Sequence, residues 1–279
     1  MAIQLVTQFK ASVDELFTKE SKKSLLTNQN YDFNGAHTIK VYKVGTADMN
    51  DYDRRGTGTG VTGSRYGTVQ GLDATTEEFT LTKDRSFTFA IDKLDQDETA
   101  QQVAAASALA RQLREVVIPE VDTHVYGVMC DKAGAKPIAV TLTNANIYDE
   151  IVKANNTLDN ADVPETGRVL VVTPDTYVLM KKSPDIVMET DIGNDLRLKG
   201  VIAMIDGANV IKVPAPRLPE DFGFMLAHPI ATVAPTKLED YKIHQDPPGI
   251  SGSLVEGRIN YDAFVLDNKV NAIYYQAKE

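Results

Sequence analysis

A single apolar stripe constrains this chain more than any other feature. It runs through DETAQQVAAASALARQLREVV, Asp97–Val117, and continues past Pro119. Val103, Ala106, Ala110, Leu113, Val117 and Val121 step by three or four residues, which places them on one face of an α-helix. Asp97 is suited to cap the start, Glu98 falls in the first turn, and alanines favour the interior. Pro119 lacks an amide donor, so it predicts a kink, while Val121, Val125 and Val128 carry the face onward. If continuous to about Met129, the helix spans roughly 50 Å at ~1.5 Å per residue. That is a long spine for a chain of 279 residues.

Strand patterns precede the helix. His37–Val44 (HTIKVYKV) alternates apolar and polar residues, as does Glu78–Ile91 (EFTLTKDRSFTFAI). Between them lies Thr46–Gly71, with six glycines, Arg54, Arg55, Arg65, Tyr52 and Tyr66, and no Leu, Ile or Phe. Such a segment cannot bury enough apolar surface to offset the entropy of ordering itself, and it exceeds an ordinary turn. Two readings stay open: a disordered loop, or the tip of a long hairpin that orders on another molecule. Tyr and Arg at such a tip are residue types enriched at interface hot spots.

Upstream, Ile3, Val6, Phe9, Val13, Leu16 and Phe17 follow helical spacing. The segment is either a helix packed on its own domain or an amphipathic arm laid on a neighbour. Downstream of Gly134, helices and strands alternate. Thr143 is positioned to cap a helix holding Ile147, Ile151 and Leu158, and Arg168–Val172 (RVLVV) reads as a buried strand. Thr173 with Pro174 opens another helix. Asp206-Gly207 joins two strands within Gly200–Pro214, and PAPRLP forms a stiff connector. Phe222–His228, Leu238–His244, Ser253–Leu266 and Val270–Gln276 read as further strands.

Chemistry finds little support in the residues. Gly58, Gly60 and Gly63 have GxGxxG spacing, but a dinucleotide site needs a buried strand before them and a helix after, and neither is present. Asp48, Asn50, Asp51 and Asp53 fail as an EF-hand, because Arg55 occupies an oxygen-ligand position and Thr62 stands where Glu belongs. The four histidines show no metal-binding spacing, Ser251 lacks the GxSxG frame, and the single cysteine, Cys130, has no activating neighbour in sequence. No catalytic constellation, cofactor motif or metal site emerges. The net charge of −10 disfavours a protein devoted to gripping phosphate backbones. No apolar run approaches a membrane span, the N-terminal residues do not form a signal peptide, and the cysteine content suits a reducing compartment such as the cytoplasm.

In order along the chain, VYKVGTADMNDYDRRG, RYGT, TLTKDRSFTFAIDK, LREVVIPEVDTH, RVLVVTPDTYVLMKKSPD, GANVIKVPAPRLP and HQDPPGISGSLVEGRINYDAFVLDNK resemble the major capsid proteins of tailed bacteriophages. The likeness covers nearly the whole chain and is strongest to the group from phages and prophages of Gram-positive bacteria. That fold is shared with encapsulin shells and the floor domain of herpesvirus capsids.

The resemblance implies an α+β fold and a division of the chain. Residues 1–35 would be an N-terminal arm, and 36–91 an extension-loop hairpin with its tip at 46–71. Residues 92–136 and 223–279 would form a peripheral domain of spine helix and sheet, and 137–222 an α/β axial domain. It implies a non-enzymatic subunit forming hexamers and pentamers, which tile an icosahedral shell around double-stranded DNA in the virion, assembled in the host cytoplasm. Tyr52, Arg54, Arg55, Arg65, Tyr66, Phe9 and Phe17 become the expected intersubunit contacts. A portal and a separate scaffolding protein are implied partners, the latter because only about 35 residues precede the first strand. Some members crosslink through a loop lysine. No lysine lies between Lys43 and Lys83, so a non-covalent shell is expected. An encapsulin-like compartment is the main alternative; a soluble α/β enzyme built on RVLVVTPDTY is a weaker one.

Overall fold

The computed structural model describes residues 21–28, 38–55, 65–67, 71, 74–98, 105–184, 186 and 201–279. The chain separates into two compact units, Gly35–Thr80 and the remainder.

The smaller unit is built on a hairpin. Strands β1 (Thr38–Val44) and β2 (Ala74–Thr80) pair antiparallel without a slip, from Thr38 opposite Thr80 to Val44 opposite Ala74. Cross-strand pairs fix this register: the Thr38 and Thr80 hydroxyls hydrogen-bond at 2.9 Å, Lys40 meets Glu78, and Lys43 meets Glu77 at 3.1 Å.

The predicted strand Glu78–Ile91 divides at Leu81–Thr82. β2 ends at Thr80, and β3 (Lys83–Asp92) pairs instead with β10 (Gly252–Tyr261), which pairs in turn with β9 (Thr236–Gln245). The cause is Asp262. Its Oδ2 accepts the Thr82 amide at 2.8 Å and the Thr82 hydroxyl at 2.7 Å, taking Thr82 out of any ladder. The same residue ends the predicted strand Ser253–Leu266 at Tyr261, because its Oδ1 accepts the Ala263 amide at 2.8 Å and turns the chain. The short pair β8 (Thr232–Val233) and β11 (Phe264–Val265) follows.

The helix departs from the 3.6-residue extrapolation. Asp92, not Asp97, accepts the Leu94 amide and opens a short helix, α1 (Lys93–Glu98). The spine proper comprises α2 (Ala105–Gln112), a π-helical turn at Leu113–Val117, and α3 (Ile118–Lys132). Its described residues cover roughly 42 Å at ~1.5 Å per residue. Pro119 cannot donate a bond, and its ring crowds the carbonyl of Glu115 four residues back. The chain answers with the wide turn, in which the Ile118 amide reaches back five residues to the Leu113 carbonyl. The extra residue rotates the upstream stripe, so Leu109 is buried and Ala106 is exposed. The buried stripe is Leu109, Leu113, Val117, Ile118, Val121, Val125, Tyr126 and Met129.

A five-stranded sheet crosses the larger unit in the order β12-β7-β4-β6-β5. Its strands are β12 (Ile273–Ala277), β7 (Phe222–Ala227), β4 (Val169–Val172), β6 (Ala208–Lys212) and β5 (Val201–Ile205). β4 and β6 run parallel, and the other neighbours antiparallel. The run VLVV is apolar at every position because both faces are covered. Val169 and Val171 join the core of the spine helix, whereas Leu170 and Val172 join Ile147, Ile151, Ala154 and Leu158 of α4 (Ile147–Asn160) and Met180 of α5 (Pro174–Lys182). Asp206 (φ 45°) and Gly207 (φ 78°) make the expected tight turn between β5 and β6. Thr173 caps α5 through the Thr176 amide at 3.1 Å, as its sequence predicts. The sheet draws strands from both sides of residue 222.

Leu113 sits fully buried where the helix widens. Leu113→Ala is expected to cost roughly 2–5 kcal/mol in urea unfolding; a cost under about 1 kcal/mol would mean that the wide turn is not packed as described.

Candidate functional site

The tip gathers five of the residues singled out from the sequence. The Asp53 amide donates to the Arg65 carbonyl at 2.9 Å, and this bond brings the two descending segments together. The Tyr52 and Tyr66 rings then meet edge-on with centroids 5.0 Å apart. The Arg55 amide donates to Asp53 Oδ1 at 3.0 Å, closing a local turn at the tip. Gly67 takes φ 84°, and a Cβ there would lie 2.8 Å from the Asn50 side chain, so the close approach requires glycine. Arg54, Arg55 and Arg65 are exposed, as are Tyr52 at 52% and Tyr66 at 78%.

This small unit also exposes Tyr42 and Met49, so it holds four of the nine large apolar side chains that stand exposed among the described residues. Exposed aromatic side chains accompanied by arginines have the composition of a contact surface. Sequence reasoning missed Tyr42 and Met49. Tyr42 carried a signal, since it alternates in phase with Thr38 and Lys40 on the polar side of β1. Met49 carried none. Phe9 and Phe17 lie outside the described residues, as do Gly58, Gly60 and Gly63.

The candidate chemical groups are engaged structurally. Burial pushes the Cys130 thiol up to about 12, which holds it protonated and unreactive. His124 Nε2 lies 2.8 Å from Asp262 Oδ1, and His244 Nε2 lies 3.2 Å from Glu256. Burial lowers the His228 pKa, while its Nδ1 accepts the Ile230 amide. Among the described residues, no three His, Cys, Asp or Glu side chains converge as a metal site. No described helix is long and apolar enough to cross a membrane.

With this geometry in view, comparison with solved structures is informative. A structure from Microbacterium phage Oxtober96 superposes with a TM-score of 0.70 at 10% identity, covering 94% of this chain and 92% of that one. The capsid of cyanophage P-SCSP1u gives 0.69 at 14% identity, covering 91% and 86%. This chain has the tailed-phage capsid fold. A virus-like particle from Pyrococcus furiosus matches at 0.58 and 12% identity, covering 98% of this chain and 99% of that one. No family model matches the sequence, and no curated protein matches it. The capsid fold thus persists here at identities of 10–14%.

Two measurements check the local chemistry. Burial alone would raise the Asp262 pKa, but hydrogen bonds from His124, Thr82 and the Ala263 amide outweigh it and hold the carboxyl below its ordinary value. Its contribution is therefore present above the unfolded carboxyl's pKa, about 3.9, and is lost as pH falls through the folded value. Asp262→Asn is expected to cost about 1–3 kcal/mol at pH 7, and the gap from wild type should shrink below about pH 4. A gap unchanged between pH 7 and pH 3 would contradict this account. Cys130 should resist a thiol reagent in the folded chain and react fully in denaturant; rapid labelling of native protein would overturn its assignment as a core residue.

Proposed function

We propose that the chain is a major capsid subunit, which self-assembles through hexamers and pentamers into an icosahedral shell enclosing phage double-stranded DNA. The observation that carries this reading is the match to phage structures over more than nine-tenths of the chain, joined to an exposed tyrosine–arginine tip. In this reading the subunit is structural and not an enzyme, it assembles in the host cytoplasm and resides in the virion, and its nearest kin are capsid proteins from phages and prophages of Gram-positive bacteria. A scaffolding protein and a portal take part in assembly, and the DNA is held without sequence-specific contacts.

The parts take the following roles. Residues 36–91 form the extension loop, with Tyr52, Arg54, Arg55, Arg65 and Tyr66 meeting a neighbouring copy. Residues 1–35 form an arm that contributes Phe9 and Phe17. Residues 92–136 and 223–279 make the peripheral domain, and 137–222 the axial domain. Strong self-repulsion from a charge of −10 requires that these contacts prevail through shape and apolar burial. The tip supplies aromatic surface for that purpose.

The Pyrococcus furiosus particle favours a second reading, a protein-compartment shell with the same fold. The contents of particles purified from cells separate the two: protected double-stranded DNA excludes the compartment, and enzyme-filled shells exclude the phage head.

Arg55→Ala and Tyr66→Ala should each leave the unfolding midpoint nearly unchanged, within about 0.5 kcal/mol. Each should also raise the protein concentration needed for assembly several-fold, read by sedimentation. Equal damage to both quantities would show that the tip packs within its own subunit. The absence of lysine at the tip also predicts a single subunit band from mature particles on a denaturing gel; a ladder of covalent multimers would refute the non-covalent shell.

A further inference from the structure

We propose that a cleft beside the middle of the spine helix receives the tyrosine tip of a second copy of this chain. The proposal rests on the capsid reading above and names the surface that the tip meets. The cleft has a volume of about 500 Å³. Lys83 and Arg85 line it from β3, Pro119, Thr123 and His124 from α3, and Tyr261 from the end of β10.

Most of its polar groups are already satisfied. Glu120 Oε1 accepts Arg85 Nε at 2.7 Å and the Tyr261 hydroxyl at 3.2 Å. The Thr123 hydroxyl donates to the Pro119 carbonyl at 2.7 Å. Asp262 holds the His124 ring, which stands edge-on to Tyr261 with centroids 5.7 Å apart. These bonds fix the walls in advance, so filling the cleft orders few further side chains. What they leave unmet is apolar: the Pro119 ring and the surfaces of the imidazole and phenol. Val116, 46% exposed, extends that apolar surface. It precedes Glu120 by four residues and Thr123 by seven, so it lies on the same face of the spine.

The same chain carries a matching knob. Tyr52 and Tyr66 are exposed and meet edge-on, forming one aromatic projection. Interface hot spots pair such aromatic anchors with pockets on the partner. Between residues 48 and 65, three aspartates and three arginines cancel, so the knob escapes the repulsion of a chain whose net charge is −10. One pair of charges sets the orientation. Lys83 at the cleft and Asp51, next to Tyr52, are both exposed, and neither has an ionic partner among the described residues. A knob and a cleft at different places on one chain make a heterologous contact, in which each copy gives one tip and receives another. Such contacts generate rings when the rotation closes.

The test is the concentration at which the full-length chain assembles, read by sedimentation, with the thermal midpoint as the control for folding. Thr123→Trp puts a bulky ring into the cleft from an exposed helical position. It should leave the midpoint within about 2 °C of wild type and raise the assembly concentration about ten-fold or more. Lys83→Glu and Asp51→Lys should each raise that concentration several-fold. Both reversals in one chain should return it to within about three-fold of wild type, because every contact then regains an opposite pair. The charge exchange stands independently of how the tryptophan variant folds. If wild type assembles and Thr123→Trp assembles equally well, or the double reversal is no better than the single ones, the cleft is not the receptor, and the capsid reading survives. A wild-type chain that never assembles would remove the capsid reading and this contact with it.

Discussion

The larger unit depends on one constraint: the stripe from Leu109 to Met129 must be covered along its whole length. No single sheet does this. Near its start the helix packs against the sheet of β3, β10 and β9, where Val255 and Ile259 join its core. Near its end it packs against the five-stranded sheet through Val169, Val171, Met225 and Ile273. Leu26, from the N-terminal segment, enters the same core. Because one helix serves both sheets, strands separated by more than a hundred residues share one apolar interior.

Two buried carboxylates then organise what the apolar core cannot specify. Asp122, on the spine itself, ties Ser21 and Arg217 to the helix. Asp262 ties Thr82 and His124 to the turn after β10. Each is surrounded by donors, as a buried charge requires. An ion pair or buried carboxylate adds little net stability when it replaces good apolar packing, so the effect of these two groups is geometric. They decide where strands end and which segments converge on the helix.

That division explains which parts of the structure could be read from the sequence. Patterns set by local repetition were readable: the VLVV strand, the Thr173 cap, the Asp206-Gly207 turn and the hairpin flanking the glycine-rich stretch. The errors at Thr82 and Tyr261 share a single source, because one carboxylate distant in sequence from Thr82 captures its amide and also turns the chain after Tyr261. Periodicity cannot register such a contact. The offset at Ala106 has a local cause that Pro119 announced, although a kink was the expected outcome and a widened turn the actual one. At the tip, residue type marked Tyr52, Arg54, Arg55, Arg65 and Tyr66, and the structure adds the Asp53–Arg65 backbone bond that brings them together. The Asp122 contacts were invisible for the same reason as Thr82: Ser21, Asp122 and Arg217 meet only after folding.

The central claim is that this fold serves to tile copies of one chain into a closed shell. Negative-stain electron microscopy of the purified full-length chain, supported by its sedimentation, tests that claim most directly. The account predicts capsomers or closed icosahedral particles at concentrations where the subunits meet. A chain that remains monomeric at every concentration would contradict it.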